Sequence, residues 1–254
     1  MKILITGASS GIGRDMARNL SKHENDLVLV GRDEEKLKQV KDELDKNRSN
    51  IEIISLDLSI EENCKELYKR VQNVDILINN AGFGDCGDFT KTDLEKELKM
   101  INTNIVAYHI LTKLYLIDMK KKNSGKILNV ASIAGFMPGP LMSTYYATKN
   151  YVVKLSEGIR EELRKEKSKV QISILCPGPV DTNFNRVANV EFHAREANSQ
   201  MVADYAIKKL EQGKFYIIPG IDIKLVRIGA KILPTKFISK MAYKVQKRKL
   251  QGKK

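Results

Sequence analysis

Apolar positions along the chain fall into two kinds of segment. Short runs rich in Ile, Val and Leu occur at residues 3–6, 27–30, 51–55, 76–79, 127–130, 171–175 and 215–218. They do not alternate with polar residues, which is how strands buried on both faces of a parallel sheet read. Longer amphipathic segments lie between them, several with helix-start chemistry. Asp33 precedes Glu34 and Glu35, an N-cap followed by acids in the first turn. Ser59 with Glu62, and Thr92 with Glu95, have the spacing of capping boxes. The repeated strand–helix order predicts an α/β fold, a doubly wound parallel sheet with helices on both faces. At 254 residues, one large domain is expected rather than two small ones.

The first run leads straight into Thr6-Gly7-Ala8-Ser9-Ser10-Gly11-Ile12-Gly13, and an amphipathic helix follows to about Leu20. A glycine turn between strand and helix lets backbone approach a pyrophosphate, and the helix N-terminus supplies N–H donors and positive potential. The spacing is Gly-x-x-x-Gly-x-Gly rather than Gly-x-Gly-x-x-Gly, and a plain tight turn is the competing explanation. The second run ends Val30-Gly31-Arg32, with Gly31 where an NAD binder commonly places an acid. Arg32 offers forked donors to a 2′-phosphate, with Arg14 in reach to assist, so NADP(H) is favoured over NAD. The rival for Arg32 is a solvated surface arginine. Asp57, in Ser55-Leu56-Asp57-Leu58, either accepts from an adenine amino group or caps a turn. Asn79-Asn80-Ala81-Gly82 suits the floor of a ligand crevice, or a turn.

Composition changes this picture little, and charge changes it at one place. No run approaches the roughly 20 apolar residues of a membrane helix. The apolar start of the chain is far shorter than a signal peptide's, so no export signal is expected. Cys64, Cys86 and Cys176 are isolated, and His23, His109 and His193 are scattered. No disulfide scaffold and no metal site is expected, and a reducing cytoplasm fits. The formal net charge is +13. Residues 221–254 hold eleven Lys and Arg and a single acid, Asp222, so that segment carries +10 and residues 1–220 only +3. A nucleic-acid binder spreads its positive face over the folded domain, so that reading is disfavoured. A near-neutral enzyme body, residues 1–220, with a basic tail, residues 221–254, is expected instead.

Taken together, the motifs resemble the short-chain dehydrogenase/reductase family. They are the glycine loop, Asn79-Asn80-Ala81-Gly82, Asn102-Thr103-Asn104, Asn129-Val130-Ala131-Ser132, Tyr145-Tyr146-Ala147-Thr148-Lys149 and Pro177-Gly178-Pro179-Val180-Asp181-Thr182. The resemblance spans about residues 1–220, and the helix after Asn104 departs from it, with Leu114-Tyr115-Leu116-Ile117 where many relatives carry Leu-Pro. It implies a Rossmann-like sheet of about seven strands and NAD(P)-dependent carbonyl/alcohol chemistry. The implied catalytic set is Asn104, Ser132, Tyr145 and Lys149. The implied cofactor set comprises Gly7, Ser9, Ser10, Gly11, Ile12 and Gly13, then Arg32, Asp57, Leu58, Asn80, Ala81 and Gly82. Tyr145, Lys149, Pro177, Gly178, Val180 and Thr182 complete it.

Tyr145 and Lys149, four apart, share a helix face with Cβ atoms about 5–6 Å apart. A neighbouring ammonium is expected to lower the phenol pKa and make Tyr145 a usable general acid/base. Ser132 would hydrogen-bond the substrate oxygen. Tyr146 is the rival tyrosine, and the family pattern selects Tyr145. By resemblance, Lys149 holds the nicotinamide ribose, Asn104 rather than Asn102 holds a relay water, and Val180 and Thr182 touch the carboxamide. Residues 183–199, with Phe184, Val187, Val190, Phe192 and His193, should shape the substrate pocket, and Phe83, Phe136, Met137 and Met142 should add apolar walls. The expected enzyme is an NADP(H)-dependent oxidoreductase of a lipophilic carbonyl or secondary alcohol. Its helices at 104–118 and 144–162 would pair between subunits of a homodimer. The alternative from another class is a non-catalytic dinucleotide-binding sensor or scaffold at the membrane periphery.

In the tail, Ile221, Leu225, Ile228 and Ile232 share a helical face opposite Lys224, Arg227 and Lys231, and Pro234 ends this stretch. A second segment sets Phe237, Ile238, Met241, Ala242 and Val245 against Lys236, Lys240, Lys244 and Lys247. Three uses fit: packing on the body or on a partner subunit, lying on an anionic bilayer, or closing over the substrate pocket.

Overall fold

A computed structural model describes residues 1–46, 49–188 and 196–251. The apolar runs form strands β1 (Lys2–Thr6), β2 (Asp26–Gly31), β3 (Asn50–Ser55), β4 (Ile76–Asn79), β5 (Lys126–Val130) and β6 (Gln171–Leu175). Two-residue strands β7 (Val180–Asp181) and β8 (Ala197–Asn198) pair only with each other, and β9 (Tyr216–Ile217) is the last. Helices α1 (Gly11–Leu20), α2 (Glu34–Leu44), α3 (Glu61–Arg70), α4 (Leu94–Ile101), α5 (Ala107–Lys122) and α6 (Ser143–Lys165) connect the sheet. The C-terminal part adds α7 (Phe184–Val187), α8 (Ser199–Glu211), α9 (Ile221–Ile232) and α10 (Thr235–Gln251).

Seven strands make one parallel sheet in the order β3-β2-β1-β4-β5-β6-β9, the expected Rossmann-like architecture. Successive side chains of a strand enter opposite faces. Leu4, Val28, Leu77 and Ile127 therefore join one core with α3, α5 and α6. Ile3, Ile5, Leu27, Leu29 and Ile78 join the other with α1, α2 and α8. This two-sided burial is why the strands read as unbroken apolar runs. The chain moves outward from β1 to β3, then crosses back to β4 on the other side of β1. The carboxyl ends of β1 and β4 thus flank a topological switch point, where open α/β sheets bind ligands.

Asp33 caps α2 as expected, accepting from the Lys36 N–H at 3.1 Å. Neither capping box forms. The Asp57 carboxylate takes the Ser59 N–H at 2.9 Å in a tight turn, and α3 starts only after Ile60. Asp93, not Thr92, caps α4, accepting from the Glu95 and Lys96 N–H groups, while the Thr92 hydroxyl meets Glu97 at 2.9 Å. At α4 the Asp93 carboxylate, the stronger acceptor, takes the Glu95 N–H that the Thr92 hydroxyl would have held. Between α4 and α5, residues Asn102–Val106 wind as a π-helix, a local widening often found at functional sites. The segment without the Leu-Pro of relatives runs on as regular α5, and buried Tyr115 donates to the Val71 carbonyl at 2.9 Å.

The tail packs differently from its apolar pattern. In α9 the inward residues are Ile223, against Gly178, and Arg227, whose guanidinium lies 3.6 Å from the Tyr216 ring centroid and 5.1 Å from that of Phe136. Arg227, expected in the outward basic row, therefore faces the body, because two aromatic rings form a surface a guanidinium can stack on. In α10 the buried residues are Ile238, Ala242 and Gln246, while Phe237, Met241 and Val245 are exposed.

Candidate active site

The site begins with how the strand ends are tied together. The Thr6 hydroxyl accepts from the Asn80 and Ala81 N–H groups, both at 3.0 Å. The Asn80 amide donates back to the Thr6 and Gly7 carbonyls, both at 3.1 Å. Gly7 has φ +66, and a Cβ there would sit 2.8 Å from the Ala81 Cα. A Cβ at Gly13 would lie 2.4 Å from the Asn80 amide nitrogen and from the Gly7 carbonyl oxygen. Gly13 is thus a close-packing glycine that draws α1 onto the loop. It is not among the residues lining the cleft, unlike Gly7, Ser9, Ser10, Gly11 and Ile12.

Above these strand ends opens a cleft of about 790 Å³. At one end it is lined by the glycine loop, Arg32, Asp57 and Leu58, and across its floor by Asn80, Ala81 and Gly82. At the other end are Ser132, Tyr145 and Lys149, with Pro177, Gly178, Val180 and Thr182 along one wall. The segment after β6 crosses the cleft, since a Cβ on Gly11 would meet the Thr182 methyl at 3.0 Å. Asp57 holds its turn and also lines the cleft. Arg14 is engaged elsewhere, 3.1 Å from buried Asp15.

Four residues from three segments meet at the inner end. Ser132 ends the stretch after β5 and caps a short 3₁₀ turn, accepting from the Ala134 N–H at 3.2 Å. Tyr145, in the first turns of α6, is buried and hydrogen-bonded to Ser132. Lys149, one turn on, donates to the Val130 carbonyl at 3.0 Å, and its Nζ lies 5.9 Å from the Tyr145 ring centroid. Asn104 is fully buried in the π-helix, whereas Asn102 is exposed. The Asn104 amide brackets the Phe83 backbone, accepting from its N–H at 3.1 Å and donating to its carbonyl at 2.9 Å. It also donates to Thr148 at 3.0 Å, so it ties the exit of β4 to α6 and does not itself line the cleft. Thr6 and Thr148 were not singled out from sequence; only their partners give them roles.

One electrostatic expectation is corrected. Burial pushes the Tyr145 phenol above its ordinary range, with the Ser132 hydrogen bond pulling weakly the other way. Burial also lowers the Lys149 ammonium to about 8. Both side chains are almost wholly buried at the end of the cleft, and low dielectric disfavours charge on each. Tyr145 is therefore a neutral phenol at neutral pH, not a phenolate. Tyr146, the rival, points its hydroxyl away to Gln246, whose amide donates to it at 2.6 Å.

The remaining walls are mixed. Phe83, Met142, Phe184 and Val187 line the cleft as expected. Phe136 does not, because it packs against Tyr216 and Arg227, and Met137 is also absent from the lining. Val190, Phe192 and His193 lie outside the described residues. Among the lining residues that escaped the sequence reading are Lys36, close in sequence to Arg32, and Gln246, a hundred positions from Tyr146. Charge and i+4 spacing from Arg32 could have flagged the first, whereas no local signal marks the second.

Comparison with known proteins agrees with this fold. Residues 1–191 match the model of the short chain dehydrogenase family. The chain is 31% identical over 228 residues to an uncharacterised oxidoreductase of Staphylococcus epidermidis, covering 88% of this chain and 96% of the relative. A short-chain dehydrogenase from Sphingobium yanoikuyae, solved in complex with NADPH, superposes with a TM-score of 0.81 at 27% identity, over 92% of this chain and 96% of that one. A short-chain dehydrogenase/reductase from Burkholderia phymatum, solved in complex with NAD, gives a TM-score of 0.80 at 26% identity, over 91% and 92%. The chain belongs to the short-chain dehydrogenase/reductase family and is an oxidoreductase of that type. The NADPH and NAD bound in these two solved relatives are both nicotinamide dinucleotides.

Proposed function

We propose that the protein is an NADP(H)-dependent oxidoreductase acting on a carbonyl or secondary alcohol, with Tyr145 as general acid/base. The observation that carries this is the meeting of Ser132, Tyr145 and Lys149 at one end of the cleft whose other end is the glycine loop. The loop end fits a pyrophosphate: the Ser10 N-cap makes no side-chain bond to the first turn of α1 and that turn holds no acid, leaving its N–H groups free for an anion. The preference for a 2′-phosphate rests on Arg32 and Lys36 lining the cleft and on Gly31 at the usual acid position. The adjacent acid, Asp33, is occupied by the Lys36 N–H and ammonium.

The dinucleotide supplies or accepts the hydride. Tyr145, held protonated by burial, donates its proton to the carbonyl oxygen as negative charge develops there, and recovers it in the reverse direction. The Ser132 hydroxyl holds the same oxygen. Lys149 would hold the nicotinamide ribose, and its ammonium favours the transient phenolate. Asn104 positions the Phe83 backbone and α6 through the bonds described above. Phe83, Met142, Phe184 and Val187 favour a lipophilic substrate. We place the enzyme in a reducing cytoplasm, consistent with three free cysteines, and as a homodimer paired through α5 and α6.

The test is a panel of ketones and aldehydes followed by dinucleotide absorbance, with NADPH and NADH in parallel. NADPH is expected to support the faster turnover, and faster turnover with NADH overturns the Arg32 assignment. Tyr145→Phe is expected to lower kcat by about 10²–10⁴ with NADPH affinity unchanged. Retained activity in that variant removes Tyr145 from its role.

A further inference from the structure

Helix α9 stands on the body by one face and carries a row of large aliphatic side chains on the other. Ile221, Leu225, Ile228 and Ile232 are 76%, 62%, 52% and 75% exposed. Their spacing of four, three and four places them on one face. At 100° per residue that face is centred opposite Ile223 and Arg227, the two residues that dock α9. The row is therefore turned away from the body. Next along the chain, α10 leaves Phe237, Met241 and Val245 half exposed. Lys224 and Lys231 border the row on α9, and Lys236, Lys240, Lys244 and Lys247 are exposed on α10.

We propose that α9 and α10 form a surface that seats on an anionic lipid bilayer. The aliphatic row of α9 enters the boundary between headgroups and acyl chains, and the lysines of both helices contact anionic headgroups. Three observations favour this occupant. Residues 221–254 carry +10 while the body is close to neutral, so the charge is concentrated where the apolar row is. A second copy meeting this one through the same surface would set +10 against +10, whereas an anionic bilayer neutralises it. The 12 residues of α9 span about 18 Å, too short to cross a bilayer but suited to lie in its plane, with lysine stems reaching up to the headgroups. In agreement, no helix among the described residues is long and apolar enough to cross a membrane. Ile223 of α9 packs on Gly178, and Gln246 of α10 lines the cleft, so the seated surface adjoins the substrate end of the site.

The experiment is co-sedimentation of the full chain with vesicles of phosphatidylcholine alone and of phosphatidylcholine mixed with phosphatidylglycerol. Pelleting is expected with the mixed vesicles only, and it should weaken as salt is raised. The double variant Leu225→Glu/Ile228→Glu should lose at least about tenfold in vesicle affinity. Both positions are exposed and away from the docking face, so its thermal midpoint should stay near that of the parent. Failure of the parent chain to pellet above the phosphatidylcholine level overturns the proposal, as does undiminished pelleting of the double variant. A dimer of the parent chain that the double variant dissolves, seen by analytical ultracentrifugation, would assign the row to a second copy instead. None of these readouts depends on turnover, so they stand apart from the proposed reaction.

Discussion

Helices α6 and α9 are both amphipathic, and they use their two faces in opposite ways. Helix α6 turns Tyr145, Thr148, Lys149, Val152, Val153 and Ser156 into the body. Helix α9 docks through Ile223 and Arg227 and sends its richest aliphatic face outward. The difference lies in what each helix covers. Beneath α6 are Ile172 and Ile174 of β6 and other aliphatic side chains of one core, which only apolar cover can satisfy. Beneath α9 are the rings of Phe136 and Tyr216, which accept a guanidinium. The chemistry of the partner surface, not the count of apolar residues, decides which face turns inward. The same contrast separates function: α6 buries a lysine and a phenol at a cost, and α9 leaves a hydrophobic row in solvent.

That cost gives the largest expected effect. Lys149→Met is expected to abolish turnover and to stabilise the fold by on the order of 3 kcal/mol at pH 7, since its ammonium is lowered from 10.5 to about 8 by burial. The folded-state value lies below the unfolded one, so between about pH 8 and 10.5 the unfolded chain binds the extra proton. The parent therefore gains stability as pH rises through that window. The advantage of the variant should be full below pH 8 and gone above about 10.5, as read by urea unfolding across pH. A pH-independent difference would break the argument. Val152→Ala, on the inward face of α6, is expected to cost about 2 kcal/mol by the same measurement. Leu225→Ala, on the outward row of α9, should change stability by less than about 0.5 kcal/mol. Equal losses at the two positions would mean that α9 buries its aliphatic face after all.

Much of the fold was legible because burial on both faces of a parallel sheet leaves unbroken Ile, Val and Leu runs, and each of the seven runs became a strand of one sheet. The Thr92 cap differs because Asp93 competes for the same Glu95 N–H, and the Ser59 cap because the turn held by Asp57 delays the start of α3 until after Ile60; only the backbone path shows either. In the site, the glycine loop was legible from its place between a strand and a helix, whereas the choice of Tyr145 as the partner of Lys149 rested on the family resemblance. Phe136 was misplaced because an aromatic next to the site can serve α9 as readily as the cleft. Gln246 was missed because it reaches Tyr146 from the far end of the chain.

By itself, the order of residues determined the strands, the helices between them, the glycine turn and the four-residue step from phenol to ammonium, because each depends on neighbours within a few positions. Tertiary structure alone decided that the phenol and the ammonium are both buried where charge on each is disfavoured, and that α9 turns its aliphatic row outward. Dielectric and the choice of face are properties of what surrounds a group, and those surroundings arrive from distant parts of the chain.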